Sequence, residues 1–129
     1  MKEILEAANS APSAGNLKAR EIIVIKDNKI KEALVNASLG QGFIAQVPIV
    51  LVFFALPEKS AQEYKEQGRK LYAIQDATIS ASFAWLQAVD LGLSACWVGA
   101  FDDGKVKEIL KIPQDWQPIA ILPLGYSAE

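Results

Sequence analysis

The run from Pro48 to Leu56, PIVLVFFAL, constrains this chain more than any other stretch. Side chains alternate between the faces of a strand, and here both sets are apolar. Such a strand must be covered on each side, so it belongs in the middle of a sheet with structure packed above and below. Pro57 ends it. A chain of 129 residues has room for one such arrangement, a single domain over 1–129.

The cover has to come from helices, and the apolar spacing provides them. Residues 2–10 place Ile4, Leu5, Ala7 and Ala8 on one side, with Lys2, Glu3 and Glu6 outward. Asp27 or Asn28 caps a helix over 29–38, with Ile30, Ala33, Leu34 and Ala37 inward. Asp102 or Asp103 starts another that runs to Leu110. Short β-branched or apolar runs at 21–26, 93–101 and 119–126 read as further strands. Pro123 marks the last of these as an edge or a bulge. Residues 58–70 are polar and charged, and predict a mobile, exposed, partly helical segment that Gly68 interrupts. The order α β α β α β α β predicts an α+β fold, an α/β sandwich with a short central sheet of about four strands flanked by helices. The pattern leaves strand direction open.

The longest helical candidate, 71–91, carries one charge, Asp76, between Lys70 and Asp90. A helix apolar nearly all round is buried on more than one side. Its small residues, among them Ala73, Ala77, Ala81, Ala84 and Ala88, admit a close neighbour. One small chain can hardly wrap it, which points to a homodimer. Asp76 itself reads as a buried acid paired with a lysine, or as a first-turn acid favoured by the helix dipole.

Composition removes whole classes of chemistry. The chain has no histidine and one cysteine, Cys96. Ser-His and Cys-His catalysis are excluded, and a zinc-type metal site is not expected. No catalytic side chain stands out; a cofactor that brings its own reactivity suits such a chain. The net charge of −2 with no basic stripe argues against nucleic acid. No apolar run reaches the length of a membrane span, and the N-terminus lacks a secretory pattern. A soluble, cytoplasmic protein is expected. Cys96, Trp85 and Trp97 read as core, and Trp116 as partly exposed.

Residues 11–16, APSAGN, link the first helix to the first strand. Pro, Ser, Gly and Asn are default turn residues. The same set of small residues also lets a ligand lie against a loop's backbone. From the residues alone both readings stand.

Taken in order, APSAGN, VPIVLVFF, GLSACWVGAFD, VKEILKIP and PLGY resemble the nitroreductase-like flavoproteins over almost the whole chain. The resemblance implies an intertwined homodimer with FMN at the subunit interface. It implies ping-pong hydride transfer from NAD(P)H through the flavin to a small-molecule electron acceptor such as a nitroaromatic or quinone. It assigns flavin contacts to Pro12, Ser13, Ala14 and Asn16, typically from the partner chain. It assigns Val98, Gly99 and Ala100 to the flavin ring, with backbone N–H groups for N5 or O4. It also makes Tyr64 and Tyr72 candidates for a lid over the site.

The sequence departs from that family in three places. The Arg-Arg-Ser-type stretch upstream of the loop is not in it, nor is the basic tail after the last LGY. Leu17-Lys18-Ala19-Arg20 stands where a Gln-Pro-Trp-like run is usual. An FMN phosphate needs charge-assisted donors. Lys18 and Arg20, which strand alternation sends to the same side, are the nearest, followed by Arg69 and Lys70. The alternatives are a degenerate dimer of the same fold that binds flavin weakly or not at all and serves as a binding or regulatory module, an unrelated interaction domain, or a fragment of a longer protein.

Overall fold

In the computed structural model, which describes residues 1–126, the elements run α1 (Lys2–Ser10), β1 (Arg20–Ile25), α2 (Asn28–Ala37), β2 (Ile49–Ala55), α3 (Pro57–Gln67), α4 (Ala73–Asp90), β3 (Ser94–Ala95), α5 (Asp103–Leu110) and β4 (Gln117–Gly125). The strands form one sheet in the order β1-β2-β4-β3, and every pairing is antiparallel. This is the α+β sandwich that the patterning predicts, with strand direction now fixed.

β2 is interior, and its alternating side chains build two separate cores. Leu51 and Phe53 join Ile4, Ala8, Ala81, Ala84, Ala88 and Leu122 on the face covered by α1 and α4. Val50, Val52 and Phe54 join Leu34, Ile44, Val98, Val106 and Ile121 on the face covered by α2 and α5. Trp116 is half-buried and packs its ring 5.7 Å from that of Phe54.

The helix starts follow capping chemistry. Asp27 accepts hydrogen bonds from the Lys29 and Ile30 N–H groups at 2.8 and 3.1 Å, and Asp102 accepts from Lys105 N–H at 3.0 Å. In α2 the buried face includes Lys31, whose ammonium donates to the Val47 carbonyl at 2.7 Å.

Several expectations are corrected. The segment after β2 is helical on both sides of a single break, which falls at Lys65 (φ 54°, ψ −134°), not at Gly68. Gly68 has helical dihedrals and serves close packing instead: a Cβ there would lie 2.7 Å from the Ser60 carbonyl oxygen. A π-turn over Gly68–Tyr72 then feeds α4.

β3 is two residues long, followed by a lone bridge between Val98 and Ile121. Pro123 explains the gap, and β4 is neither an edge strand nor bulged at that point. The Cys96 N–H donates to the Pro123 carbonyl at 3.3 Å, so the ring nitrogen of Pro123 faces the same side and offers no donor in return. β4's bulge lies elsewhere, beside Pro118, where the register shifts opposite Phe53 and Phe54. Because this side of the sheet is ragged, Cys96 and Trp97 are exposed rather than core. Trp85 is half-buried and packs against the α1/α4 core.

α4 sorts its residues by size. Ala73, Ala77, Ser80, Ala81, Ala84 and Ala88 are buried, and Ser80 Oγ donates to the Ala8 carbonyl of α1 at 3.0 Å. Phe83, Leu86 and Val89 point outward, Leu86 with 70% of its surface exposed. Among the described residues, no helix is long and apolar enough to cross a membrane.

Candidate functional site

The APSAGN loop is a built structure. After α1 the chain turns through a short 3₁₀ segment, Ala14–Asn16, and three residues take left-handed dihedrals: Gly15 (φ 61°), Asn16 (58°) and Lys18 (51°). Such conformations cost non-glycine residues about 1 kcal/mol or more each and persist only where the surroundings enforce them. Local bonds contribute: Asn16 N–H to the Ser13 carbonyl at 3.0 Å, Leu17 N–H to the Ala14 carbonyl at 3.2 Å, and Lys18 N–H to Ser13 Oγ at 3.0 Å.

Two buried charges contribute from beneath. Asp76 is 2% exposed, and its two carboxylate oxygens accept from the Ala14 and Ala19 N–H groups, each at 3.1 Å. Arg20 is 7% exposed. Its guanidinium donates to the carbonyls of Ala11 (2.7 Å), Pro12 (3.0 Å), Asp76 (3.0 Å) and Asn9 (3.5 Å). Burial pulls the Arg20 pKa below its ordinary value, and the Asp76 charge opposes that pull. A guanidinium stays protonated under any such shift at neutral pH. The buried acid's carboxylate thus bonds two backbone amides, with the Arg20 charge nearby, and not a lysine.

Tyr64 closes the loop from above. A Cβ at Gly15 would meet the Tyr64 hydroxyl at 2.5 Å, and Tyr64 is held edge-on against Tyr72 with ring centroids 5.1 Å apart. Gly15 is therefore favoured by its positive φ, and a side chain there would also push the Tyr64 ring aside.

What the loop leaves outward is a small donor set. The Ser13 hydroxyl hydrogen and the exposed Asn16 amide have no acceptor among the described residues, while Pro12 and Ala14 present apolar surface beside them. The second predicted segment behaves similarly. Val98 is buried and exchanges two 2.9 Å backbone bonds with Ile121, so its N–H is committed. Gly99 and Ala100 are exposed, and their N–H groups donate to nothing among the described residues. Gln41, which the sequence reading missed, reaches this segment: its side-chain amide bonds the Ser38 carbonyl at 2.8 Å and the Ala100 carbonyl at 3.3 Å.

The cations divide sharply. Lys18 and Arg20 point to different environments, one exposed and one buried, because Lys18 lies outside the strand. Arg69 is taken by Glu58 (2.7 Å) and Glu66, and Lys70 lies 3.7 Å from Glu66. That leaves Lys18, which pairs with no carboxylate among the described residues, and Lys59, whose ammonium sits 3.5 Å from the Lys18 carbonyl. Lys59 is a second cation beside the loop that the sequence reading did not single out.

The structure does not bring the two predicted segments together within one chain. The loop enters β1 and Val98 lies beside β4 on the β3 side, so they stand at opposite edges of the sheet. Three strand spacings of about 4.8 Å separate those edges by roughly 14 Å. An open groove of about 450 Å³ lies elsewhere, on the outer face of α4, lined by Ala7, Phe83, Leu86, Gln87 and Asp90. No cluster of three or more metal-ligating side chains occurs among the described residues.

The Nitroreductase family profile matches residues 1–52 and 36–126. An NADH dehydrogenase of Thermus thermophilus is 30% identical over 156 aligned positions, covering all of this chain and 76% of the relative. A putative nitroreductase of Methanocaldococcus jannaschii is 36% identical over 84% of this chain, which spans 53% of that relative's length. The solved structure of an FMN-dependent nitroreductase from Clostridium difficile superposes with a TM-score of 0.80 at 34% identity, covering 99% of this chain and 75% of that one.

Proposed function

Because this chain belongs to the nitroreductase family, we propose that it is an FMN-dependent oxidoreductase that takes reducing equivalents from NAD(P)H in a ping-pong cycle and delivers them to a nitroaromatic, a quinone or a similar small acceptor. The observation that carries this reading is the uncommitted donor set: the Ser13 hydroxyl, the Asn16 amide and the Gly99 and Ala100 N–H groups, each beside small residues that admit a flat ligand. An isoalloxazine ring presents carbonyl oxygens and ring nitrogens as acceptors, which fits donors of this kind. Bound FMN supplies the hydride chemistry, so no acid, base or nucleophile is required of the chain itself.

The remaining work falls to named residues. Gly99 and Ala100 hold the reactive edge of the ring through their N–H groups. Pro12, Ser13, Ala14 and Asn16 orient it from the other side. Val98 sets the backbone position through its bridge to Ile121 and is not a donor itself. Lys18 and Lys59 carry the charge for the phosphate. Arg20, buried and with both terminal nitrogens committed to main-chain carbonyls of the loop and of Asp76, is poorly placed for it.

Two copies of the chain make this site. The opposite-edge placement of the two segments favours a ring held by Gly99 and Ala100 of one copy and the loop of another. The outward face of α4, with Phe83, Leu86 and Val89 uncovered, provides the apolar surface that a homodimer buries. A second reading, a degenerate dimer that holds no flavin, is favoured by one observation: among the described residues, the cations near the loop that are free of carboxylate partners come down to two lysines, Lys18 and Lys59.

The deciding experiment is a visible absorption spectrum of the purified protein, taken before and after addition of FMN and gel filtration. A flavin band that elutes with a dimer is the expected result. A colourless protein after FMN addition overturns the oxidoreductase reading in favour of the degenerate dimer.

A further inference from the structure

Asp76 and Arg20 are the two buried charges beneath the loop, and nothing in the proposed chemistry uses them. Their contacts are unusual in distribution. Among the described residues, the Asp76 carboxylate accepts only from the backbone N–H groups of Ala14 and Ala19, one within the turn and one just before β1. Among the described residues Arg20 donates only to carbonyls, and three of the four belong to Asn9, Ala11 and Pro12 on the approach to the turn. The fourth is the main-chain carbonyl of Asp76, which ties the arginine to α4. The pair therefore grips the loop at its entrance, middle and exit, and fixes all three to one turn of one helix.

This grip has a directional consequence. With the Ala14 and Ala19 N–H groups and the Ala11 and Pro12 carbonyls drawn inward, the Ser13 hydroxyl and the Asn16 amide are left on the outer surface. Asn16 and Lys18 keep positive φ, which asparagine tolerates but which a lysine rarely adopts without constraint.

We propose that Asp76 and Arg20 are positioning residues for the cofactor: two buried, opposite charges that preset the loop in its flavin-binding shape before any ligand arrives. The inference rests on the flavin reading above. It adds that affinity for FMN depends on two side chains that do not touch it, because a pre-ordered loop spares the ordering cost at binding.

Two measurements test it. The first uses the unmodified protein without FMN. Amide hydrogen exchange should show Ala14 and Ala19 protected roughly tenfold or more over Gly15, whose N–H has no partner among the described residues. Exchange at Ala14 and Ala19 as fast as at Gly15 overturns the proposal. The second uses the double variant Arg20→Met, Asp76→Leu, which removes both charges together and leaves no unpaired ion in the interior. The β2 amides should stay protected, the Ala14 and Ala19 amides should lose protection, and the FMN dissociation constant, read by fluorescence quenching well below the melting temperature, should rise roughly tenfold or more.

A merely stabilising pair would lower the melting temperature and leave that constant unchanged in folded protein, and a constant within threefold of the parent overturns the proposal. Should the double variant not fold, Arg20→Lys takes its place, read by the same constant against the same threshold. Failure of the unmodified protein to take up FMN refutes the flavin reading instead, and the exchange of Ala14 and Ala19 still reports whether the grip exists.

Discussion

Replacing Gly68 by alanine should destabilise the protein, although helix propensity alone predicts the reverse. Gly68 has φ −64° and ψ −47°, ordinary helical values. Adding a methyl group to a helical glycine is worth about 1 kcal/mol in favour of the folded state. Space decides the sign. The new Cβ would lie 2.7 Å from both the carbonyl oxygen and Oγ of Ser60, and 2.8 Å from its carbonyl carbon. Two of those three atoms are backbone, so no rotamer change relieves them. The start of α3 must move off the π-turn, and overpacking of that kind costs about 1–3 kcal/mol. Taking the upper end, because main chain must shift, the net loss is about 2 kcal/mol. For a chain of this size that lowers the melting temperature by roughly 8 °C.

Gly104→Ala is the control. It is also helical, but its nearest contact would be Asp102 Oδ1 at 3.4 Å, an ordinary distance, so it should be neutral or slightly stabilising. Thermal and urea denaturation of both variants at one protein concentration, with and without FMN, makes the comparison. A Gly68→Ala protein as stable as the parent would refute the argument that close approach, not chain breaking, is why glycine stands there.

Other outcomes follow from the same structure. Phe53→Ala, which empties a fully buried site in the α1/α4 core, should cost about 3–5 kcal/mol by urea denaturation. If the proposed dimer forms, Leu86→Arg should leave the fold of each chain intact while converting that dimer to a monomer in sedimentation; an undisturbed dimer would show that the α4 face is not the interface. The Arg69 hydrogen bond holds Glu58 below its ordinary carboxylate pKa. A depressed folded-state pKa contributes stability above the unfolded value that fades as pH falls through the folded one. Glu58→Gln should therefore flatten the acid side of the stability profile, by an amount that added salt also removes, since the pair is exposed.

The sequence made the layers legible because burial on both faces of β2 and on one face of each helix leaves a periodic trace. α1, α2, α5 and the long α4 all lie where apolar spacing put them. What it hid depends on contacts between distant residues. The shortness of β3 follows from Pro123 on the neighbouring strand, so the exposure of Cys96 and Trp97 could not be read locally. Gly68 looks like a chain breaker until Ser60 is seen against it.

The candidate site divides in the same way. The APSAGN residues advertise a special turn through composition alone. Nothing in the string shows that Arg20, the obvious cation beside the loop, is consumed by carbonyls, or that Asp76, far along the chain, accepts from the loop's amides. Lys59 and Gln41 carry no motif at all, and only their placement brings them forward.

The placement of the loop at one sheet edge and of Gly99 and Ala100 at the other makes each proposed site a joint product of two chains. Consider one variant crippled at Asn16 and a second crippled at Gly99, each inactive by itself. Mixed after dissociation, they form hybrid dimers in which one site collects both lesions and the other collects neither. Two dead preparations would then recover part of the parental activity on co-assembly, a rescue that a site contained within one chain would never give.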